Sequence, residues 1–237
     1  QGFPADFICE ALDQTRGWFY TLLVLSTALF KKPAFENCVV NGLLLAEDGR
    51  KMSKSLKNYP EPSEMLEKYG ADAIRIYMLN SPALRGEELR FAEEGVREMV
   101  RRVLLPWWNS VSFLMTYAAV DEWDPETQWY TGDPTHELDV WINAKLEELK
   151  RQVEQEMAEY RLYRVVDPLL HFLDDLTNWY IRRSRRRFWK SEHSDDKLCA
   201  YTTLYSVLLE FTELMAPFTP FIADEVYELL RVTPETQ

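Results

Sequence analysis

The chain has 237 residues, a formal net charge of −12, and 14% aromatic residues. This negative charge argues against a general nucleic-acid binder, because phosphate contacts require lysine and arginine. Cys9, Cys38 and Cys199 are far apart, so they suit a reducing compartment and indicate no disulfide framework. The most apolar stretch, 18–30, is shorter than the about 20 residues of a membrane helix. We therefore expect a cytoplasmic protein with no membrane segment.

The first 60 residues alternate between strand and helix patterns. Residues 5–10 are typical of a short strand, and an apolar helix is predicted from Asp13 to Phe30. Residues 37–46 are rich in aliphatic and β-branched side chains, which indicates a second strand. A strand–helix–strand order is typical of an α/β unit with a parallel sheet.

The rest of the chain is predicted to be helical. One helix begins at Pro62 and is closed by Gly70, and a second covers residues 71–80. From Phe91 onward apolar residues recur at helical spacing, and residues 121–135 form a loop. The later helices are predicted over 137–160, 163–190, 197–215 and 221–231. The fold class is therefore α/β followed by an all-α antiparallel helical bundle over 91–237, mostly helical overall.

The strongest chemical motif is the loop 51–55, with the sequence Lys-Met-Ser-Lys-Ser. It follows the second predicted strand and an Asp-Gly turn. Two lysines three residues apart, together with two hydroxyls, can gather phosphate oxygens, and each lysine supplies a mobile point charge. The alternative interpretation is a solvated basic surface loop.

Three strings resemble one family. Residues 51–55 match the KMSKS signature of class I aminoacyl-tRNA synthetases letter for letter. Residues 13–19, Asp-Gln-Thr-Arg-Gly-Trp-Phe, resemble the isoleucine enzymes, and residues 179–189 resemble the anticodon-binding bundle of the wider group. The resemblance covers essentially the whole chain. It implies the C-terminal part of a Rossmann-like catalytic domain over 1–60, a helical connector over 61–90, and a truncated anticodon-binding bundle over 91–237.

The resemblance also implies a reaction. Isoleucine is joined to the α-phosphate of ATP, assisted by Mg²⁺, and is then transferred to tRNA(Ile). Lys54 would stabilise the charge that develops on the leaving pyrophosphate, with Lys51 as the second catalytic lysine. Gly42 would lie near the adenine, where a missing side chain permits close approach. The implied ATP-binding residues are Gly42, Met52, Ser53, Lys54 and Ser55.

Four residues match family positions around the bound isoleucyl-adenylate: Glu10, Asp13, Gln14 and Trp18. They cluster where a strand ends and a helix begins, and such folds bind ligands at the carboxyl ends of their strands. Two alternatives remain open, since Asp13 could be a helix N-cap and Trp18 a core residue. Ala11 stands where the family often has glycine, and alanine adopts positive φ less readily.

A basic segment resolves the conflict between the net charge and an RNA partner. Between Trp179 and Lys190 there are five arginines, one lysine and no acid. Arginine can pair with phosphates or stack on bases. The alternative is a solvated helix face paired with the bundle's glutamates. The predicted tRNA-binding residues are Arg182, Arg183, Arg185, Arg186, Arg187 and Lys190.

The sequence lacks two parts that the family requires. We find no His-x-Gly-His signature and no segment that resembles an editing domain. The abrupt start at Gln1 also suggests a fragment, which we expect to be inactive alone. Two alternatives to an isoleucyl enzyme stay open: a valyl or leucyl synthetase fragment, and a stand-alone RNA-binding module descended from a synthetase. No metal-ligand constellation is predicted.

Overall fold

The computed structural model describes residues 2–53, 55–189 and 194–231. The strands are β1 (Ala5–Ala11), β2 (Phe35–Asn41), β3 (Leu44–Leu45) and β4 (Leu89–Arg90). The helices are α1 (Trp18–Phe30), α2 (Pro62–Leu79), α3 (Glu93–Met99), α4 (Leu105–Asp121), α5 (Glu137–Ala158), α6 (Val166–Asp174), α7 (Arg182–Trp189), α8 (Asp195–Met215) and α9 (Pro220–Leu230). The predicted order of an α/β start and a helical bundle is confirmed.

The strand–helix–strand unit has the predicted parallel pairing. β1 pairs with β2 in a register that runs from Ala5–Phe35 to Ala11–Asn41, with α1 as the connection. The segment Leu12–Arg16 is a short 3-10 helix, so α1 begins at Trp18 and the predicted start at Asp13 is wrong. At the other end α1 stops at Phe30, as predicted.

The second predicted strand is two strands. β2 ends at Asn41, and β3 leaves it to pair in parallel with β4. The connector over 61–90 was predicted to be helical, and it also contains the short strand β4, which was not predicted. A strand of two residues is too short to show an alternation of side chains, so the sequence carries no signal for it.

Helix α2 is bent where the sequence predicted a break. Gly70 has φ 78° and ψ 162°, a backbone conformation that is almost restricted to glycine. Pro62 opens the helix, at a position where its missing N–H costs nothing. The bend confirms the two predicted helical pieces and leaves them joined in one bent element.

A small hydrophobic cluster beside the bundle joins α2 to α3. Its buried members are Met65, Ala73 and Val96. We call it the minor core. It holds the first piece of α2, the helix that follows the loop 51–55 in the chain.

The bundle core is large and aromatic, as the composition predicted. Its fully buried side chains include Trp107, Tyr180, Tyr201, Phe188 and Phe211. Two π-helical segments, which the sequence did not predict, connect described helices: one between α3 and α4 and one between α6 and α7. By length and composition alone, the continuous helix Glu93–Asp121 could cross a membrane. Its residues Val103, Trp107, Val111 and Leu114 are buried in the bundle core.

Candidate active site and RNA-binding face

The lysine loop begins with a tight turn after β3. Gly49 has φ 81° and donates a backbone hydrogen bond to Ala46 O at 2.8 Å. Ala46 N–H in turn donates to Arg50 O at 2.8 Å, and the Arg50 side chain pairs with Asp48 at 2.6 Å. The Asp-Gly pair therefore forms the turn that the sequence predicted, and it leads directly into Lys51.

Asn58 closes the far side of the loop. Its Nδ2 donates to Lys51 O at 3.1 Å, and its Oδ1 accepts from Ser53 N–H at 2.9 Å. The hydroxyls of Ser53 and Ser55 are 2.8 Å apart. Lys54, the predicted catalytic lysine, lies outside the described residues. Sequence reasoning missed Asn58, because an asparagine near two prolines is also typical of an ordinary turn.

The residues after β1 form a hydrogen-bonded cluster. Gln14 Oε1 accepts from Trp18 N–H at 2.9 Å, and Gln14 Nε2 donates to Asp13 Oδ2 at 3.3 Å. Gln14 therefore satisfies the first turn of α1, and the alternative of Asp13 as the N-cap is wrong. The Asp13 carboxylate is exposed, and so is Glu10. Both are available to a ligand at the carboxyl end of β1.

The remaining positions near this cluster settle two open questions. Trp18 is 45% exposed, whereas the next residue, Phe19, is 7% exposed and fills the packed side of α1. Trp18 is therefore not a core residue in the described part of the chain. Ala11 has φ −78° and ψ 164°, an ordinary extended conformation, so alanine causes no strain where the family often has glycine.

A second polar residue missed by sequence reasoning lies at the same sheet edge. Asn41, the last residue of β2, pairs in register with Ala11. Its Nδ2 contacts Cys9 Sγ at 3.3 Å, and its buried Oδ1 has no hydrogen-bond partner among the described residues. A polar residue between an apolar strand and a glycine was the available signal.

Gly42 allows a close approach, but to the protein's own backbone. A Cβ built on Gly42 would lie 1.6 Å from Glu87 O. The backbone N–H of Gly42 donates to Ala83 O at 2.7 Å, so this segment is held tightly against the chain before β4. The predicted role beside the adenine stays a prediction, and the packing alone already requires glycine.

Replacing Gly42 by alanine should therefore be destabilising. The added methyl group must displace the Glu87 backbone, and overpacking of this kind costs about 1–3 kcal/mol. Urea unfolding of the full-length protein checks this loss of stability. Gly70→Ala is the matched comparison: a Cβ there meets no atom within 4 Å, so any cost comes from its positive φ alone. If the β3 and β4 amides exchange hydrogen equally slowly in wild type and Gly42→Ala, the tight contact inferred between Gly42 and Glu87 would be contradicted.

Helix α7 presents a basic face. Arg182, Arg183, Arg185 and Arg186 are exposed. Within the described ranges none of the four has a carboxylate within 4.0 Å, so the alternative of a face paired with glutamates is not what the structure shows. The guanidinium of Arg183 lies 4.4 Å from the ring centroid of Trp179, which is itself 48% exposed. We call these four arginines with Trp179 the α7 basic face.

Arg187 does not belong to that face, which corrects the prediction made for it. Its side chain is only 7% exposed and contacts Asp139, which is fully buried, through two hydrogen bonds of 2.7 and 2.6 Å. Tyr180 also donates to Asp139, at 2.7 Å. Burial opposes the charge on Arg187, but the hydrogen bonds and charge of Asp139 outweigh it, so the pKa of Arg187 is raised. Lys190 lies outside the described residues.

Comparison with known proteins gives a family match for a segment at each end of the chain. Residues 1–90 match the class I tRNA synthetases for isoleucine, leucine, methionine and valine, and residues 139–236 match the anticodon-binding domain of tRNA ligases. The chain belongs to the class I tRNA synthetases. An isoleucine–tRNA ligase of Protochlamydia amoebophila is 54% identical over 231 residues, which are 98% of this chain and 22% of that protein. One from Chlamydia muridarum is 51% identical over 235 residues, 99% of this chain and 22% of its own length.

Solved synthetase structures share the fold. A methionyl-tRNA synthetase of Mycobacterium tuberculosis in complex with methionyl-adenylate superposes with a TM-score of 0.76 at 17% identity, covering 98% of this chain and 45% of that one. A leucyl-tRNA synthetase of Agrobacterium radiobacter gives a TM-score of 0.66 at 20% identity, over 97% of this chain and 28% of that one. The chain spans about 22% of the length of the curated class I synthetases that it matches.

Proposed function

We propose that this chain is the KMSKS-bearing part of a cytoplasmic isoleucine–tRNA ligase. The complete protein would activate isoleucine with ATP and transfer it to tRNA(Ile). The observation that carries the proposal is the lysine loop, held by Asn58 after β3, in a chain whose curated relatives are isoleucine–tRNA ligases. Valyl and leucyl alternatives are less well supported, because residues 13–19 match the isoleucine pattern.

In the first step, a carboxylate oxygen of isoleucine attacks the α-phosphorus of ATP, and pyrophosphate leaves. Negative charge grows on the leaving group, so a mobile cation beside it lowers the barrier. Lys54 supplies that charge, and Lys51 is exposed at the start of the same loop. Mg²⁺ bound to the phosphate oxygens of ATP would neutralise part of the same charge.

In the second step, a ribose hydroxyl of the tRNA attacks the carbonyl carbon of the adenylate, and AMP leaves. The residues after β1 would hold the amino acid during both steps. A carboxylate such as Asp13 or Glu10 can bind the ammonium group of isoleucine, and the exposed indole of Trp18 can form one wall of an aliphatic pocket. Asn41, paired in register with Ala11 at the end of β2, lies at the same end of the sheet.

The α/β part needs further strands to be complete. Within the described residues β1 and β2 pair only with each other, although parallel sheets are normally larger and covered on both faces. Helix α1 leaves several large apolar side chains exposed: Leu23, Val24, Leu25, Leu29 and Phe30. We propose that the rest of the longer protein covers this face and supplies the His-x-Gly-His signature and the editing domain. The 237-residue chain alone would then be inactive.

Pyrophosphate exchange tests the proposed reaction. The full-length protein that contains this chain should exchange labelled pyrophosphate into ATP when isoleucine is present. Valine should support weaker exchange, because an aliphatic pocket separates the two amino acids by only about 1–3 kcal/mol. Exchange that depends on leucine, or on valine in preference to isoleucine, would overturn the substrate assignment. Exchange by the isolated chain would overturn its predicted inactivity.

The α7 basic face should bind tRNA phosphates. Arg182→Gln with Arg186→Gln should weaken tRNA binding, and the slope of log K against log salt should fall by about 0.7–0.9 for each phosphate that is no longer neutralised. Arg97→Gln is the control, since Arg97 is exposed but already paired with Glu94 at 2.7 Å. Filter binding at several salt concentrations measures both. If Arg97→Gln reduced tRNA affinity and its salt dependence equally, net charge alone would explain the result, and the α7 basic face would not be a binding site.

A further inference from the structure

Two side chains of α2 form hydrogen bonds with the backbone of the turn between α8 and α9. Asp72, which is 6% exposed, accepts a hydrogen bond from Ile222 N–H at 2.7 Å and a longer one from Phe221 N–H at 3.4 Å. Three residues later, Arg75 donates from Nε to Phe218 O at 3.0 Å and from Nη2 to Pro217 O at 2.9 Å. We call this pair the α2 clamp.

The clamp complements both helix ends that it contacts. A helix N-terminus carries partial positive charge and free N–H groups, and a C-terminus carries partial negative charge and free carbonyls. Asp72 lies at the N-terminus of α9, and Arg75 lies at the carbonyls that follow α8. Thr219, the residue before α9, makes no side-chain capping bond in the described structure, so the capping carboxylate comes from another helix. This arrangement favours one position of α2 on the bundle.

The same helix follows the lysine loop in the chain. α2 begins at Pro62, four residues after the Asn58 that closes the loop. Its first piece packs in the minor core through Met65, and after the Gly70 bend its second piece enters the bundle core through Ile76. α2 is therefore a link between the segment that follows the loop and the bundle that carries the α7 basic face.

We propose that Asp72 and Arg75 are positioning residues for the transfer of isoleucine to tRNA. They set the position of the bundle relative to the lysine loop. A tRNA bound on the α7 basic face would then bring its terminal ribose to the adenylate. Neither residue needs to touch a substrate. The proposal rests on the proposed function and adds a specific role for two residues outside the active site.

The test separates activation from transfer in the full-length protein. Asp72→Asn keeps the shape but removes the charge, and Arg75→Met keeps the stem but removes the hydrogen bonds. Each should lower kcat for tRNA charging by about tenfold, because small misplacements of reacting groups are costly. The KM for tRNA and the rate of isoleucine-dependent exchange should stay within about twofold, since neither binding surface is altered. Glu67→Gln, an exposed change on the same helix, is the matched control and should leave all three unchanged.

The alternatives give different results. If exchange and charging fall in the same proportion, or only the KM for tRNA rises, the clamp has a merely structural role and the proposal is overturned. Should Asp72→Asn fail to fold, Arg75→Lys, on an exposed side chain, must still lower kcat for charging. Full charging by Arg75→Lys and Arg75→Met would also overturn it. Absence of isoleucine-dependent exchange in the wild-type protein would count against the proposed function itself.

Discussion

Replacing Arg187 by methionine should destabilise the helical bundle by about 3–5 kcal/mol, because it leaves a buried carboxylate without its cation. Asp139 is fully buried; both of its oxygens accept hydrogen bonds from Arg187, and Oδ1 also accepts one from Tyr180. The remaining donors, Tyr180 and the Cys199 thiol at 3.4 Å, cannot compensate a full charge in this environment. Hydrogen exchange of α5 and α7 amides in the full-length protein measures the loss of stability, since these helices carry the pair.

Two further variants distinguish this ion pair from general effects of removing an arginine. Arg183→Met, on the exposed side of α7, should change stability by less than about 0.5 kcal/mol. Arg187→Met combined with Asp139→Leu should recover part of the stability, because it removes both buried charges together. Similar protection in Arg187→Met and wild type would contradict the structural role assigned to this arginine.

Replacing Lys54 by alanine should lower kcat for pyrophosphate exchange by about 10²–10³, the effect typical of removing one group that stabilises developing charge. The KM for isoleucine should stay within about twofold, because the amino acid is expected to bind at the end of β1. Steady-state exchange kinetics of the full-length protein measure both quantities. Although Lys54 lies outside the described residues, the structure defines the loop on either side of it.

Lys57→Ala is the matched control for this experiment. Lys57 is exposed, lies two residues after the loop 51–55, and has a positive φ of 45°. If charge anywhere in the loop were sufficient, Lys57→Ala would reduce exchange as strongly as Lys54→Ala. We expect instead a change of less than about threefold, since an exposed charge away from the phosphates interacts weakly through water.

Hydrophobic periodicity was sufficient to predict the main elements. The parallel β1–β2 pair, the break of α2 at Gly70 and the helical bundle were all predicted from local patterns. The pairing of β3 with β4 was not, because two residues cannot display a period and the partner strand lies far along the chain, with Leu44 in register against Leu89. The two π-helical segments were not predicted either.

The candidate site also contains residues that the sequence predicted and residues that it did not. The lysine loop was recognised because its letters are specific to one family. Asn58 and Asn41 were missed, because their importance depends on which backbone groups they meet after folding. Arg187 shows the opposite failure, since five arginines in one short segment look equivalent in sequence. Only the position of Asp139 on α5 shows that one of them points into the core.

The buried pair of Arg187 and Asp139 also sets the rotation of α7 about its own axis. Successive residues of an α-helix are about 100° apart around the axis. A rotation of α7 by that angle would therefore bring Arg187 to the surface in place of Arg186. The salt bridge opposes that rotation and keeps the four exposed arginines on the same side of α7. A surface ordered in advance loses less conformational entropy on binding. In the proposed complex with tRNA, the buried Arg187 would thereby increase the affinity of its exposed neighbours for the phosphates.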